Sequence, residues 1–172
     1  MNRTVALVVG LVALTVANVL VRVVRGRPEA SPPPWEFEIG RRFPDLRLQS
    51  VDGSSAPVDS IEDSGCQLLV VFDTQCEHCH TARLVEAAIP DSIRLPVTWV
   101  TVQTDETVAR FADGLSSTSR VRTVSRSDLE TVVVRVTPVV FVLGRAREVV
   151  LIAPYAGTAE QHGAFKGYCE PK

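Results

Sequence analysis

The 172-residue sequence is poor in residues that would mark several functional classes. Methionine occurs once, as the first residue, so a Met-rich surface for handling copper is absent. Basic residues are outnumbered, 18 against 20 acidic ones, and no basic patch argues for nucleic acid. Four cysteines are too few for the disulfide scaffold of a small secreted domain. No internal repeat is visible. A hydrophobic fraction of 45% excludes a disordered chain and suffices for one ordinary domain with a real core.

The first long apolar run is at the start. Thr4 to Val21 carries no charge over 18 residues, near the lower limit for a helix that crosses a membrane. The following stretch, Val19 to Arg25, offers no small-residue cleavage site, and no cysteine follows for lipid attachment. An uncleaved membrane anchor over residues 1–25 is therefore expected. Arg3 lies on one side of the run and Arg22, Arg25 and Arg27 on the other, a bias that alone would keep the domain in the cytoplasm. Residues 26–38 read as a linker, with Pro32 to Pro34 favouring extended backbone. Residues 39–172 form the expected domain.

Within that domain, Ile39 to Gly53 reads as a short strand pair closed by the turn signal Asp52-Gly53. Leu68 to Phe72 is a continuous apolar run that suits a central strand covered on both faces. Glu77 to Ile89 reads as a helix whose apolar stripe is Leu84, Val85, Ala88 and Ile89, ended by Pro90. Val97 to Val102 is the next strand. Asp105 to Ala112 is a short helix with Thr104 as N-cap. Val121 to Val124 is a further short strand. Residues 127–136 carry conflicting helix and strand signals. Val139 to Leu143 and Glu148 to Ile152 form a hairpin, and Thr158 to Tyr168 a last helix. The order predicts an α/β domain: a mixed sheet with helices on both faces.

Cys76-Glu77-His78-Cys79 stands where a strand runs into a helix. Cys76 would sit at the helix N-terminus, where free backbone N–H groups and the helix dipole favour a thiolate. Cys79, almost one turn later, would lie on the more buried side. Cys76 can then attack a disulfide and Cys79 resolve the mixed disulfide. A protonated His78 would add to the stabilisation of the Cys76 thiolate, whereas Glu77 would oppose it. Thr137-Pro138 precedes a central strand, a place where proline needs a special reason such as a cis peptide. Nothing in the sequence calls for a cofactor.

These motifs together resemble the membrane-anchored thioredoxin-like thiol–disulfide oxidoreductases of the TlpA/ResA type. The resemblance rests on IGRRFPDLRLQSVDG, LLVVFDTQCEHC, Thr137-Pro138 before VVFVL, and Gly157 before the last helix. It implies a thioredoxin-like fold on the extracytoplasmic side and a reductant of protein disulfides, as in cytochrome c maturation. It also implies Cys76 as nucleophile, Cys79 as resolving thiol, Pro138 as cis proline, and a membrane electron-donor protein as a partner. Three positions depart from the pattern. Gln75 replaces a tryptophan before the first cysteine, Val70 stands where thioredoxins bury an acid, and Ala82 stands where the ResA type has a glutamate. FDTQCEHC is also similar to accessory proteins that mature methylamine dehydrogenase, so a redox factor serving one partner enzyme is an alternative. Peroxiredoxins share the opening, but Thr74 is two residues before Cys76 rather than three and Phe72 to Gln75 holds no proline. A Cu(I)- or Zn-binding module using Cys76, Cys79 and His78 or His80 is a further alternative. Cys66 and Cys169 could form a structural disulfide or remain free thiols; spacing leaves both open.

Overall fold

The computed structural model describes residues 37–51, 55–57, 66–132, 134 and 136–169. The expected anchor over 1–25, the linker up to residue 36 and the Asp52-Gly53 turn lie outside them. No helix among the described residues is long and apolar enough to cross a membrane.

In chain order the elements are β1 (Arg47–Ser50), β2 (Ser55–Pro57), β3 (Gln67–Val71), α1 (Glu77–Ala87), β4 (Val97–Thr101), α2 (Glu106–Ala112), β5 (Ser119–Thr123), α3 (Arg126–Glu130), β6 (Val139–Leu143), β7 (Val149–Pro154) and α4 (Ala159–Cys169). The strands form one sheet in the order β2-β1-β5-β4-β3-β6-β7. β3, β4 and β5 run parallel; β6 lies antiparallel to β3, with Val70 opposite Val140. The β6–β7 hairpin closes one edge and the β1–β2 pair the other.

The two-residue period of a strand divides the core in two. Leu68, Val70 and Phe72 face a core with Trp99, Phe111, Val140, Val142 and Phe165. Leu69 and Val71 face a second core with Phe43, Leu46, Val100, Phe141 and Ile152. Both sides of β3 are thus buried, which is why its sequence is apolar without alternation. α1, α2 and α4 contribute to the first core. The second is covered by the opening segment, where Phe37 packs on Phe43 and Phe141, and by Leu129 of α3 with Val132.

Two sequence expectations are corrected. The N-cap of α2 is Asp105, not Thr104: its carboxylate accepts from the Thr107 N–H at 3.0 Å, giving an ionised acceptor at the positive end of the helix. In α1 the buried residues are Cys79, Ala82 and Glu86, with Ile89 buried just beyond, whereas Leu84, Val85 and Ala88 face solvent. The ambiguous stretch after residue 125 begins as helix α3, capped by the Ser125 hydroxyl on the Asp128 N–H.

Cys66, just before β3, is bonded to Cys169, the last residue of α4, with Cα atoms 5.4 Å apart. The bond fastens the C-terminal helix to the edge of the first core.

Candidate active site

β3 delivers the chain to a three-residue loop, Asp73–Gln75, whose shape is fixed by side chains from other elements. The Thr74 N–H donates to Gln103 Oε1 at 2.8 Å, and the Thr107 hydroxyl to Thr74 Oγ1 at 2.9 Å. Gln103 Nε2 donates to Asp73 Oδ1, which also accepts from the Gln75 N–H. His80 Nε2 donates to the Thr74 carbonyl at 2.9 Å, its ring tilted against Phe111. Gln75, in place of an expected tryptophan, is exposed and takes no part in this packing through its side chain.

The loop ends at Cys76, which is the N-cap of α1. Its sulfur accepts from the Cys79 N–H at 3.2 Å, satisfying one of the donors that a helix start leaves free. The same Sγ lies 3.4 Å from the Thr137 carbonyl, to which the thiol donates. The Thr137–Pro138 peptide bond is cis. Cys76 is partly exposed, Cys79 fully buried, and the two are unbonded. Burial, and next the neighbouring Cys76, push the Cys79 thiol up to about 12. Glu77 and His78 are both exposed in the first turn.

Beside Cys76 is a groove of about 290 Å³ lined by His78, Thr81, Val136, Thr137, Pro138 and Ala156, among others. The sequence-predicted residues Cys76, Cys79, His78, Thr137 and Pro138 therefore meet in one place. Cys66 and Cys169 do not join them; they are bonded to each other.

Solved structures share this arrangement of sheet and helices. A thioredoxin-like protein from Bacteroides caccae matches with a TM-score of 0.58 at 11% identity, over 76% of this chain and 49% of that one. The fold is thioredoxin-like. A thiol:disulfide interchange protein from a Bacteroides species matches at 0.58 and 11% identity, over 77% of this chain and 91% of that one. A peroxiredoxin-like protein from Aquifex aeolicus matches at 0.56 and 16% identity, over 77% and 88%. At such identities the likeness is one of fold. No family model and no curated protein matches the chain.

Behind the candidate site of this thioredoxin-like fold is a buried polar chain that sequence reasoning missed. Glu86 accepts from Trp99 Nε1 at 2.9 Å and from the Ser119 hydroxyl. The Leu95 N–H donates to His162 Nδ1 at 3.1 Å. Neutral His162 then carries its proton on Nε2 and donates it to the Tyr155 oxygen at 2.9 Å. Burial, and next the nearby Glu86 charge, raise the Tyr155 hydroxyl. Burial raises Glu86 above the usual carboxylate range, while Ser119, Trp99 and the nearby Arg94 pull it back. Burial, then the Arg94 charge, lowers His162 to about 4.

The signal for Glu86 was its spacing. Cys79, Ala82 and Glu86 fall at i, i+3 and i+7, one face of a helix. Gly157, with φ +67°, closes over this face: a Cβ there would collide with the Ala82 carbonyl and press on Glu86 Cβ at 3.2 Å.

Proposed function

We propose that this protein is a membrane-anchored thiol–disulfide oxidoreductase of the TlpA/ResA type that reduces protein disulfides on the extracytoplasmic side. The observation that carries the reading is the asymmetry of the pair: an accessible Cys76 sulfur capping α1 beside an apolar groove, and a buried Cys79 within the same turn. The Cys76 thiolate attacks the substrate disulfide, one substrate thiolate leaves, and a mixed disulfide forms. With Cys76 so bonded, its charge and hydrogen bond no longer hold the Cys79 proton. Cys79 then gives its proton to the substrate thiolate released in the first step, attacks the Cys76 sulfur, expels the second substrate thiolate and leaves a Cys76–Cys79 disulfide. Two electrons pass to the substrate, and a membrane dithiol donor restores the pair.

The Cys66–Cys169 bond supports the compartment, because structural disulfides persist where the surroundings are oxidising. The uncharged run Thr4–Val21 supports the anchor. A metal module is the weaker reading: among the described residues no cluster of three or more His, Cys, Asp or Glu side chains is placed to hold an ion, and His80 is turned to the Thr74 carbonyl. A factor dedicated to one partner enzyme would use the same chemistry with a narrower substrate range.

The test is equilibration of the full chain with dithiol buffers. A potential near about −270 mV makes it a reductant and one near about −120 mV an oxidant. Failure of Cys76 and Cys79 to form a disulfide at any poise ends the exchange reading.

A further inference from the structure

α1 is inverted with respect to ordinary partition of side chains between core and water. Its two charged residues beyond the first turn leave the solvent face. Arg83 Nη1 reaches the carbonyls of Arg110 and Phe111 at 3.3 and 2.7 Å, with its guanidinium carbon 5.1 Å above the Phe111 ring. Glu86 is fully buried. What faces solvent from Thr81 to Ala88 is Thr81, Leu84, Val85, Ala87 and Ala88, a strip without charge, with Leu84 60% and Val85 38% exposed. This strip is continuous with the groove beside Cys76, because Thr81 belongs to both. Across the groove stands Val136, itself 46% exposed.

We propose that the uncharged outer face of α1, centred on Leu84 and Val85, docks the protein whose disulfide Cys76 attacks, and that it selects partners with an apolar, uncharged surface beside that disulfide. This rests on the thiol–disulfide reading above. Any disulfide that reaches the Cys76 sulfur brings its flanking surface over His78, Thr81 and Pro138. Leu84 and Val85 lie one helical turn, about 5.4 Å, past Thr81, so a folded partner seated in the groove also covers them. Because Arg83 and Glu86 are both turned away, the strip itself offers no charge to a partner, the exposed Glu77 lying a turn before Thr81; a partner charge over Leu84 and Val85 would be desolvated unpaired, whereas apolar surface gains by burial.

The experiment is single turnover of the pre-reduced full chain with two probes. Insulin is a protein disulfide with apolar surface; oxidised glutathione is small and charged. In Leu84→Gln/Val85→Gln the second-order rate constant toward insulin should fall about tenfold, equivalent to about 1.4 kcal/mol, while that toward oxidised glutathione stays within twofold. Leu84→Met/Val85→Ile should keep the insulin rate. An unchanged insulin rate in the Gln variant overturns the proposal, as does an equal fall with both probes. It also fails if the wild-type chain is a dimer that the Gln variant dissociates, since a second copy would then own the face. If the wild-type chain reduces neither probe but its Cys76–Cys79 pair equilibrates with dithiol buffers, the docking proposal alone fails; if the pair does not equilibrate, the thiol–disulfide reading fails with it.

Discussion

Trp99 Nε1 donates to Glu86 Oε2 across 2.9 Å, and neither side chain has any solvent exposure. Trp99 comes from β4 and Glu86 from α1, so the bond pins the helix that begins at Cys76 to the sheet. Replacing Glu86 by Ala leaves the indole N–H and the Ser119 hydroxyl buried without their acceptor and opens a cavity. The expected loss is about 3 kcal/mol in urea unfolding. Glu86→Gln keeps one acceptor oxygen and removes the cost of burying a charge, so its loss should be under about 1.5 kcal/mol. Glu86 also gives a pH signature. Its folded value is raised, so its contribution is complete at low pH and is lost as pH rises through the folded value. The stability difference between wild type and Glu86→Gln should therefore move in favour of the Gln variant as pH rises above the ordinary carboxylate value of 4.5.

His162 should make the protein acid-sensitive. Its folded value is lowered to about 4 from 6.5. The unfolded chain binds a proton that the folded chain refuses, so stability is complete above pH 6.5 and is lost as pH falls toward 4. The loss is roughly 3 kcal/mol over that window, at about 1.4 kcal/mol per pH unit. Urea midpoints measured between pH 4 and 7 should show this slope in wild type and a shallower one in His162→Gln.

Gly157→Ala should be costly for a residue change of one methyl group. The position combines φ +67° with the Ala82 carbonyl where the Cβ would go, and backbone cannot step aside as a flexible side chain can. About 2–4 kcal/mol of destabilisation is expected in urea. Because Ala82 lies one turn after Cys79, the surviving folded fraction should also show slower disulfide exchange.

Cys66→Ser/Cys169→Ser should lower stability by about 3 kcal/mol, since the native bond closes a long loop in the unfolded chain. The two cysteines are separated by 103 positions in sequence. The Cys76–Cys79 chemistry should persist in this variant. In the wild-type protein a thiol titration without reductant, after Cys76 and Cys79 are blocked, should find no further thiol even in denaturant.

Much of the fold was legible because it is written in local patterns. The run Leu68–Phe72 reads as a strand buried on both faces because each side chain meets a core, and the β6–β7 hairpin is signalled by two apolar runs around a short polar stretch. The cysteine pair is legible for the same reason: strand, motif and helix follow one another directly. What was not legible depends on partners far along the chain. Leu84 and Val85 look like an inward stripe, and Glu86 just after them looks like a solvent residue. Trp99 and Ser119, 13 and 33 positions further on, make a buried carboxylate tolerable there. The loop around Thr74 is equally distant from its supports, with Gln103 and Thr107 about 30 residues away. The Thr104 reading failed on a choice between two adjacent capping residues, decided by which oxygen meets the Thr107 N–H.

The bond between Cys66 and Cys169 joins the residue before β3 to the end of α4. Everything between them, including Cys76 and Cys79, the Thr137-Pro138 segment and all of the polar chain around Glu86, is thereby a covalent ring, and the N-terminal residues are its stem. A single backbone cut anywhere in the ring would open it without releasing a piece. A protease that nicks one of its loops would leave a molecule of unchanged mass on a non-reducing gel, apart from one added water, and two fragments only after reduction.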